Sequence, residues 1–334
     1  MHTLRKPYLI FLGDVSLRSD AKTGFGLRDW CPDDVVGEFA LPSASVSLDL
    51  QKLTPAEAAR RGAGSLVIGV APPGGRLPDS WIPSLADALR AGLDVVSGMH
   101  TRLERYPELV EAARMGQARL INVRHSDRDW PVGTGLKRPG RRVLTVGTDC
   151  ALGKKYTALA ITNALTSRGV NATFRATGQT GILISGQGVA IDAVVADFIA
   201  GVAETLSPAN EPDHWDVIEG QGALFHPAYA GVTLGLLHGS QPDAIVLCHD
   251  PSRQTIEDHP HIALPPLDEA IRRYVEAGRL TNPAIRCVGI AINSSSQSDA
   301  EWIRYREELQ SRLQLPVCDP MRTGVESIAQ ELLA

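Results

Sequence analysis

The chain has 334 residues, more than the roughly 250 to 300 at which a single hydrophobic core stops growing, so two domains are expected. With 43% hydrophobic, 21% charged and 5% aromatic residues and a net charge of -5, the composition is that of an ordinary globular protein. Few aromatics and no basic stripe exclude a single-strand stacking platform, a duplex binder and a membrane-surface protein as leading classes.

The start, "MHTLRKPYLIFLGDVS", has an apolar run too short for the core of a signal peptide, and it ends in Gly13-Asp14 rather than in a small-residue cleavage site. No apolar segment reaches the ~20 residues of a membrane span. Cys31, Cys150, Cys248, Cys287 and Cys318 are scattered singly without a C-x-x-C pair, which reads as reduced thiols in a cytoplasmic protein.

In chain order, "YLIFLGD" (Tyr8 to Asp14) predicts a buried parallel strand feeding a loop. The loop "AKTGFG", Ala21 to Gly26, reads equally as a substrate cover or an ordinary turn. "SLVIGVAPPGG" predicts a strand and a Pro/Gly loop. The helix that follows places Ile82, Leu85, Ala86 and Leu89 on one face and stops at Gly92, and "LDVVSG" is the next strand. This strand-helix-strand order is that of a doubly wound sheet. Between Asn122 and Arg142 periodicity gives way to Gly, Pro and charge, so an exposed connection and the domain boundary are placed near Arg124 to Pro139.

The second half opens with a strand, "RRVLTVGTD", then a glycine-rich loop and a helix from Lys154 to Arg168 ended by Gly169. "NATFRATGQTG" predicts a strand and "AIDAVVADFIAGVAETL" a helix. "DVIEGQG", "AIVLCHD" and "CVGIAINSSS" are apolar strands with polar tips. Open parallel sheets bind ligands at such carboxyl ends, so the tips are where chemistry is sought.

Gly147, Thr148, Asp149, Gly153 and Lys154 belong to a G-x5-GK loop, one residue longer than the common phosphate loop. Its glycines let backbone N–H groups face an anion, and Lys154 supplies charge. Lys155 stands where such loops place a magnesium-binding hydroxyl, and an ammonium cannot ligate a cation. Thr157 is a possible substitute, though about 200 degrees round the helix from Lys155. The loop therefore reads as a phosphate cradle without the usual metal. A second cation there suits a ligand rich in phosphate, such as coenzyme A, unless Lys155 simply faces solvent.

Glu219, at a strand tip among glycines, reads as a general base or as a loop cap. Asp192 lies in the first turn of its predicted helix, as a cap or a site residue, whereas Asp197 reads as structural. His226 is a candidate for proton transfer or an ordinary loop residue. "HDPSRQTIEDHPH" is rich in His and acids but lacks recognised ligand spacing, and no metal is expected. Asn293 could read a nucleotide base through its amide.

"GTDxxxGK" resembles the loop of dethiobiotin synthetase, which would imply an ATP/Mg-dependent ligase or kinase. Over nearly the whole chain the sequence resembles the DgcN-type D-glutamate N-acetyltransferases, a former domain-of-unknown-function family. That resemblance rests on "AKTGFGLRDW", "GVAPPGGRLP", "GLDVVSGMHTRL", "VGTDCALGKKYTAL", "ATGQTGILISGQGVAIDAVVADFIAGVAE" and "VIEGQGALFHPAYAGVTLGLLHGSQPDAIVLCH". It implies an α/β protein with a Rossmann-like N-terminal domain (1–130) and a P-loop NTPase-like, doubly wound parallel C-terminal domain (140–334). It also implies acetyl transfer from acetyl-CoA to the amine of a small amino acid, D-glutamate first. Glu219 is then the first choice of base, with Asp192 or His226 behind it, and backbone N–H groups near Gly181 or Gly220 as oxyanion donors. Gln179, Arg175, Arg253 and Arg322 are candidates to hold the acceptor. A homo-oligomer is expected, as symmetric assemblies are common.

Overall fold

The computed structural model describes residues 4–70, 75–125 and 128–334. The Pro/Gly loop expected at Ala71–Gly74 and two residues of the expected boundary, Ser126 and Asp127, lie outside them. The chain falls into two units: the described residues of 1–127 together with Gly178–Ala190, and Arg128–Thr177 together with Ile191–Ala334.

Among the described residues the first unit carries one parallel sheet of β1 (Tyr8–Gly13), β2 (Val35–Ala40), β3 (Ser65–Ile68), β4 (Asp94–Ser97) and β5 (Leu120–Asn122), in the order β2-β1-β3-β4-β5. β1, β3 and β4 are buried along their whole length, as an apolar run covered on both faces must be. The helix Ile82–Arg90 buries the predicted face of Ile82, Leu85, Ala86 and Leu89, and Gly92 follows it at φ +86°.

A short excursion from the second half of the chain completes this unit. The helix Gln179–Ser185 lies against the helix Lys22–Trp30, with the hydroxyls of Thr23 and Thr180 2.9 Å apart and the Tyr8 hydroxyl donating to Leu183 O at 3.2 Å. Gly98 has no room for a side chain, since a Cβ there would stand 1.9 Å from Gln179 Oε1. Back in the second unit the excursion is closed by Ile191 N–H donating to Thr177 O at 2.9 Å.

The second unit contains β6 (Arg141–Gly147), β7 (Ala172–Arg175), β8 (Trp215–Ile218), β9 (Ala244–His249), the hairpin β10 (Thr255–Ile256) and β11 (His259–Ala263), then β12 (Arg286–Ile292) and β13 (Val317–Cys318). Six of these strands form a parallel sheet in the order β13-β12-β9-β6-β8-β7. From β6 the chain crosses to the edge strand β7, returns to β8 beside β6, and then builds the other side through β9, β12 and β13, so the strand order reverses at β6, where such sheets open a ligand crevice. Leu144, Val146, Ile218, Ile245, Leu247, Ile290 and Ile292 carry the core. The long helix expected over 190–206 is broken: 3-10 turns at Ile191–Ala193 and Ala196–Phe198 precede a helix at Ile199–Leu206. Val195 between the two turns is extended, consistent with the weak helix propensity of paired β-branched residues.

The connection is largely exposed, as expected, and is pinned by hydrogen bonds. Thr134 and Gly135 donate backbone N–H groups to the Glu204 carboxylate, and Arg138 bonds Ser207 O and Gly239 O. Arg142 is fully buried and donates to the carbonyls of Arg138, Pro139, Gly140, Ser207 and Pro208. Replacing Arg142 with Met keeps its length and orphans these acceptors. Chemical denaturation is expected to show a loss of about 3 kcal/mol; a loss within error would show that the carbonyls find other partners.

Candidate functional site

At the end of β6 the chain turns through Thr148–Gly153 into the helix Lys154–Ser167. Ala151 (φ +54°) and Gly153 (φ +98°) adopt left-handed backbone, which curls successive N–H groups toward one point as an anion nest. Lys154 is buried to 7% exposure, with its ammonium donating to Asp149 O at 2.9 Å, and burial holds its pKa below the ordinary lysine range. A Cβ on Gly147 would stand 2.8 Å from Asp149 O and 3.2 Å from Lys154 Nζ, so a glycine lets the loop backbone close over the end of β6.

Thr157, the possible substitute for the missing hydroxyl, and Asp149 of the loop both have partners within the protein. Thr157 is buried and donates its hydroxyl to Gly153 O at 3.1 Å. The Asp149 carboxylate accepts Cys150 N–H at 2.7 Å on one oxygen, and Arg253 Nη1 and Glu257 N–H, both at 2.8 Å, on the other. Lys155 is half-buried with its ammonium 4.8 Å from the Tyr156 ring centre.

One strand along from the loop, β8 ends in Glu219, which is buried at 3% exposure. Its carboxylate accepts Thr177 N–H at 3.0 Å and its backbone carbonyl accepts the Thr177 hydroxyl at 2.5 Å. Gly220 N–H donates to Thr145 Oγ1 at 3.0 Å. A Cβ on Gly220 would meet Thr145 O at 1.7 Å and Lys154 Cδ at 3.0 Å, so the β8 tip packs directly on the loop lysine.

His226 is buried and brought to the loop: one of its ring nitrogens, Cys150 Sγ and an Asp149 carboxylate oxygen lie within 4.8 Å of one another. Its Nδ1 accepts Ala228 N–H at 3.2 Å, so the ring is neutral and carries its proton on Nε2. The ring thus offers Nε2–H as its remaining polar group. It stacks on Tyr229 and meets His259 edge-on.

On the other side of the loop a cavity of about 510 Å3 is lined by Ala151–Gly153, Tyr156, Thr157, the tip of β12 and Asp319–Arg322. Asn293 lines it but is shared out, donating to Asp250 Oδ2 at 3.1 Å and accepting Ser295 N–H at 3.3 Å. Asp319 ties the floor together by accepting from Ser294 and from the backbone of Met321 and Arg322. Arg322 donates to Ser294 Oγ and Gln297 O and pairs with Asp299.

The remaining expected residues are dispersed. Arg175 points its guanidinium at Asp216, 2.7 Å away, and Arg253 serves Asp149, so both are committed to carboxylates of the protein itself. Gln179 belongs to the first unit, over Gly98, and Gly181 lies inside the same helix. Asp192 is exposed on its own 3-10 turn rather than in the first turn of a longer helix. Tyr274 had no signal in the sequence, yet its hydroxyl donates to Gly147 O at 2.8 Å and accepts Leu224 N–H at 2.9 Å, tying the end of β6 to the segment that carries His226.

His249, at the tip of β9, holds the loop through Thr148 Oγ1 at 2.9 Å from its Nδ1, and burial pushes its pKa from 6.5 down to about 4. The unfolded ring takes a proton that the folded ring refuses. Stability present above pH 6.5 is therefore lost as pH falls toward 4, by up to about 3 kcal/mol. Denaturation across that window is expected to give a flatter acid limb for His249→Gln than for the wild type; parallel limbs would contradict it.

Residues 131–329 match the P-loop domain and residues 37–126 the Rossmann-like domain of a family described as domain of unknown function DUF1611. Proteins named D-glutamate N-acetyltransferase from a Pseudoalteromonas species and from Tritonibacter scottomollicae are each 44% identical to this chain. The matches cover 98% and 99% of it respectively, and 99% of each relative. A crystal structure of a DUF1611 family protein from Anabaena variabilis superposes with a TM-score of 0.87 at 33% identity, covering 98% of this chain and 99% of that one. The chain is thus a member of the DUF1611 family, an α/β protein with a Rossmann-like N-terminal and a P-loop C-terminal domain.

Proposed function

We propose that this protein is an N-acetyltransferase that moves an acetyl group from acetyl-CoA to the amine of D-glutamate. The observation that carries the reading is the 44% identity, over nearly the full length, to two relatives that bear that enzyme's name. The site supports it: the nest and Lys154 offer positive charge to a phosphate, while Asp149 and Thr157 are already bonded within the protein. A donor with several phosphates and no obligatory magnesium fits such a cradle better than a metal-bound nucleotide does. The neighbouring cavity has the volume of a small-molecule pocket and takes the adenosine end. Lys155 stands beside Tyr156, one of its lining residues, as a second cation for the phosphates.

Neighbouring strands lie about 4.8 Å apart, so an arm leaving the loop along the sheet edge passes the tip of β8. There Glu219 takes the proton that the acceptor's ammonium must lose before it attacks the thioester carbon. The amine nitrogen bonds to the acetyl carbon, the carbon–sulfur bond breaks, and the thiolate of CoA departs. Thr177 N–H holds the carboxylate in place. The unpaired state of all five cysteines suits a reducing, cytoplasmic setting, and among the described residues no helix is long and apolar enough to cross a membrane.

Mass spectrometry of reactions with acetyl-CoA and single D- and L-amino acids is expected to show N-acetyl-D-glutamate. Absence of any acetylated amino acid would contradict the proposal. Glu219→Gln retains an acceptor for Thr177 N–H but not a base, and is expected to lower kcat about 100-fold or more while leaving acetyl-CoA binding within about twofold. Lost binding with unchanged kcat would instead make Glu219 a residue that shapes the loop.

A further inference from the structure

Cys150 sits in the phosphate loop itself, half-buried, with its Sγ in the cluster shared with His226 and Asp149. Arg253 donates to the Cys150 backbone carbonyl at 3.0 Å. A metal is a poor occupant of this cluster. Asp149 accepts three hydrogen bonds, one of them from a guanidinium, and His226 uses Nδ1 as an acceptor and so offers an N–H rather than a lone pair. Lys154 and Arg253 bring positive charge to Cys150, the carboxylates of Asp149 and Glu257 bring negative charge, and Arg253 ties up Asp149.

Resting on the reading that this loop holds a phosphate, we propose that it also accepts an acyl phosphate, with Cys150 as the acyl acceptor. The pantetheine arm of CoA carries its thioester well away from its phosphates. In an acyl phosphate the carbonyl carbon is joined to the phosphate through one oxygen. A phosphate held by Lys154 and the nest therefore presents that carbon at the loop, where Cys150 stands. The sulfur bonds to the acyl carbon and the carbon–oxygen bond to the phosphate breaks. The departing phosphate takes the thiol proton and leaves as hydrogen phosphate, so no separate base is required. Burial raises the pKa of this thiol, so the transfer of its proton to the phosphate must accompany the attack. The Nε2–H of His226 is the donor for the oxyanion formed on the way. The resulting thioester is at the same oxidation level as acetyl-CoA and is open to attack by an amine.

The test uses the full chain with acetyl phosphate in EDTA, without CoA or amino acid. The expected result is one equivalent of inorganic phosphate released in a burst and a hydroxylamine-labile acetyl group on the peptide that contains Cys150. Cys150→Ala is expected to lose both while inorganic phosphate still competes with acetyl-CoA for binding. Acetylation confined to hydroxylamine-stable lysines, or a burst unchanged in Cys150→Ala, overturns the inference. Acetyl phosphate that competes with acetyl-CoA yet leaves no thioester on the wild type overturns it and leaves the phosphate-loop reading intact. No competition and no thioester overturns both.

Discussion

Lys154 keeps its ammonium almost wholly out of water at the carboxyl end of β6, where the only partner it is given within the loop is the carbonyl of Asp149. A buried cation with a neutral acceptor is costly, and its lowered pKa records that cost. An anionic ligand would relieve it, and in the proposed function the lysine, the left-handed residues of the loop and the bare Gly147 and Gly220 are features of one anion seat. The rest of the second unit serves that seat. Tyr274 holds the end of β6, His249 holds Thr148, and Arg253 holds Asp149.

The Arg253–Asp149 pair matters for the chemistry as well as for the shape. A carboxylate beside a phosphate loop is a ready magnesium ligand, but here a guanidinium and two backbone N–H groups occupy it, and Lys155 stands in place of a hydroxyl. The charge balance is thereby met by side chains of the protein. In the proposed function, phosphate recognition of this kind binds acetyl-CoA and leaves the bonds within its pyrophosphate intact, as acetyl transfer requires.

Much of the fold was legible as continuous apolar runs. β1, β3, β4, β6, β8, β9 and β12 read as buried strands because parallel strands are covered on both faces. The strands that escaped notice lack that signal. β2 carries Glu38, whose buried carboxylate is satisfied by Ser47 Oγ and Leu48 N–H from a distant loop. β5 and β13 are two or three residues long, and the β10–β11 hairpin carries polar and histidine residues. The phosphate loop and the Glu219 tip were legible because glycine and charge at strand ends have local causes. The clamp on Asp149 joins residues 104 positions apart, and the grouping of Gln179–Ser185 with the first unit depends on a small helix face meeting Thr23. His226 was visible as a candidate, but its hydrogen bond from a backbone N–H two residues on was not.

The central claim is that this loop holds a phosphorylated acetyl carrier without a divalent ion. Calorimetric titration with acetyl-CoA, in EDTA and again in excess magnesium, tests it most directly. Saturable one-site binding of the same affinity in both buffers is the predicted result. Binding that appears only with magnesium, or a protein that binds ATP with magnesium and ignores acetyl-CoA, would contradict it.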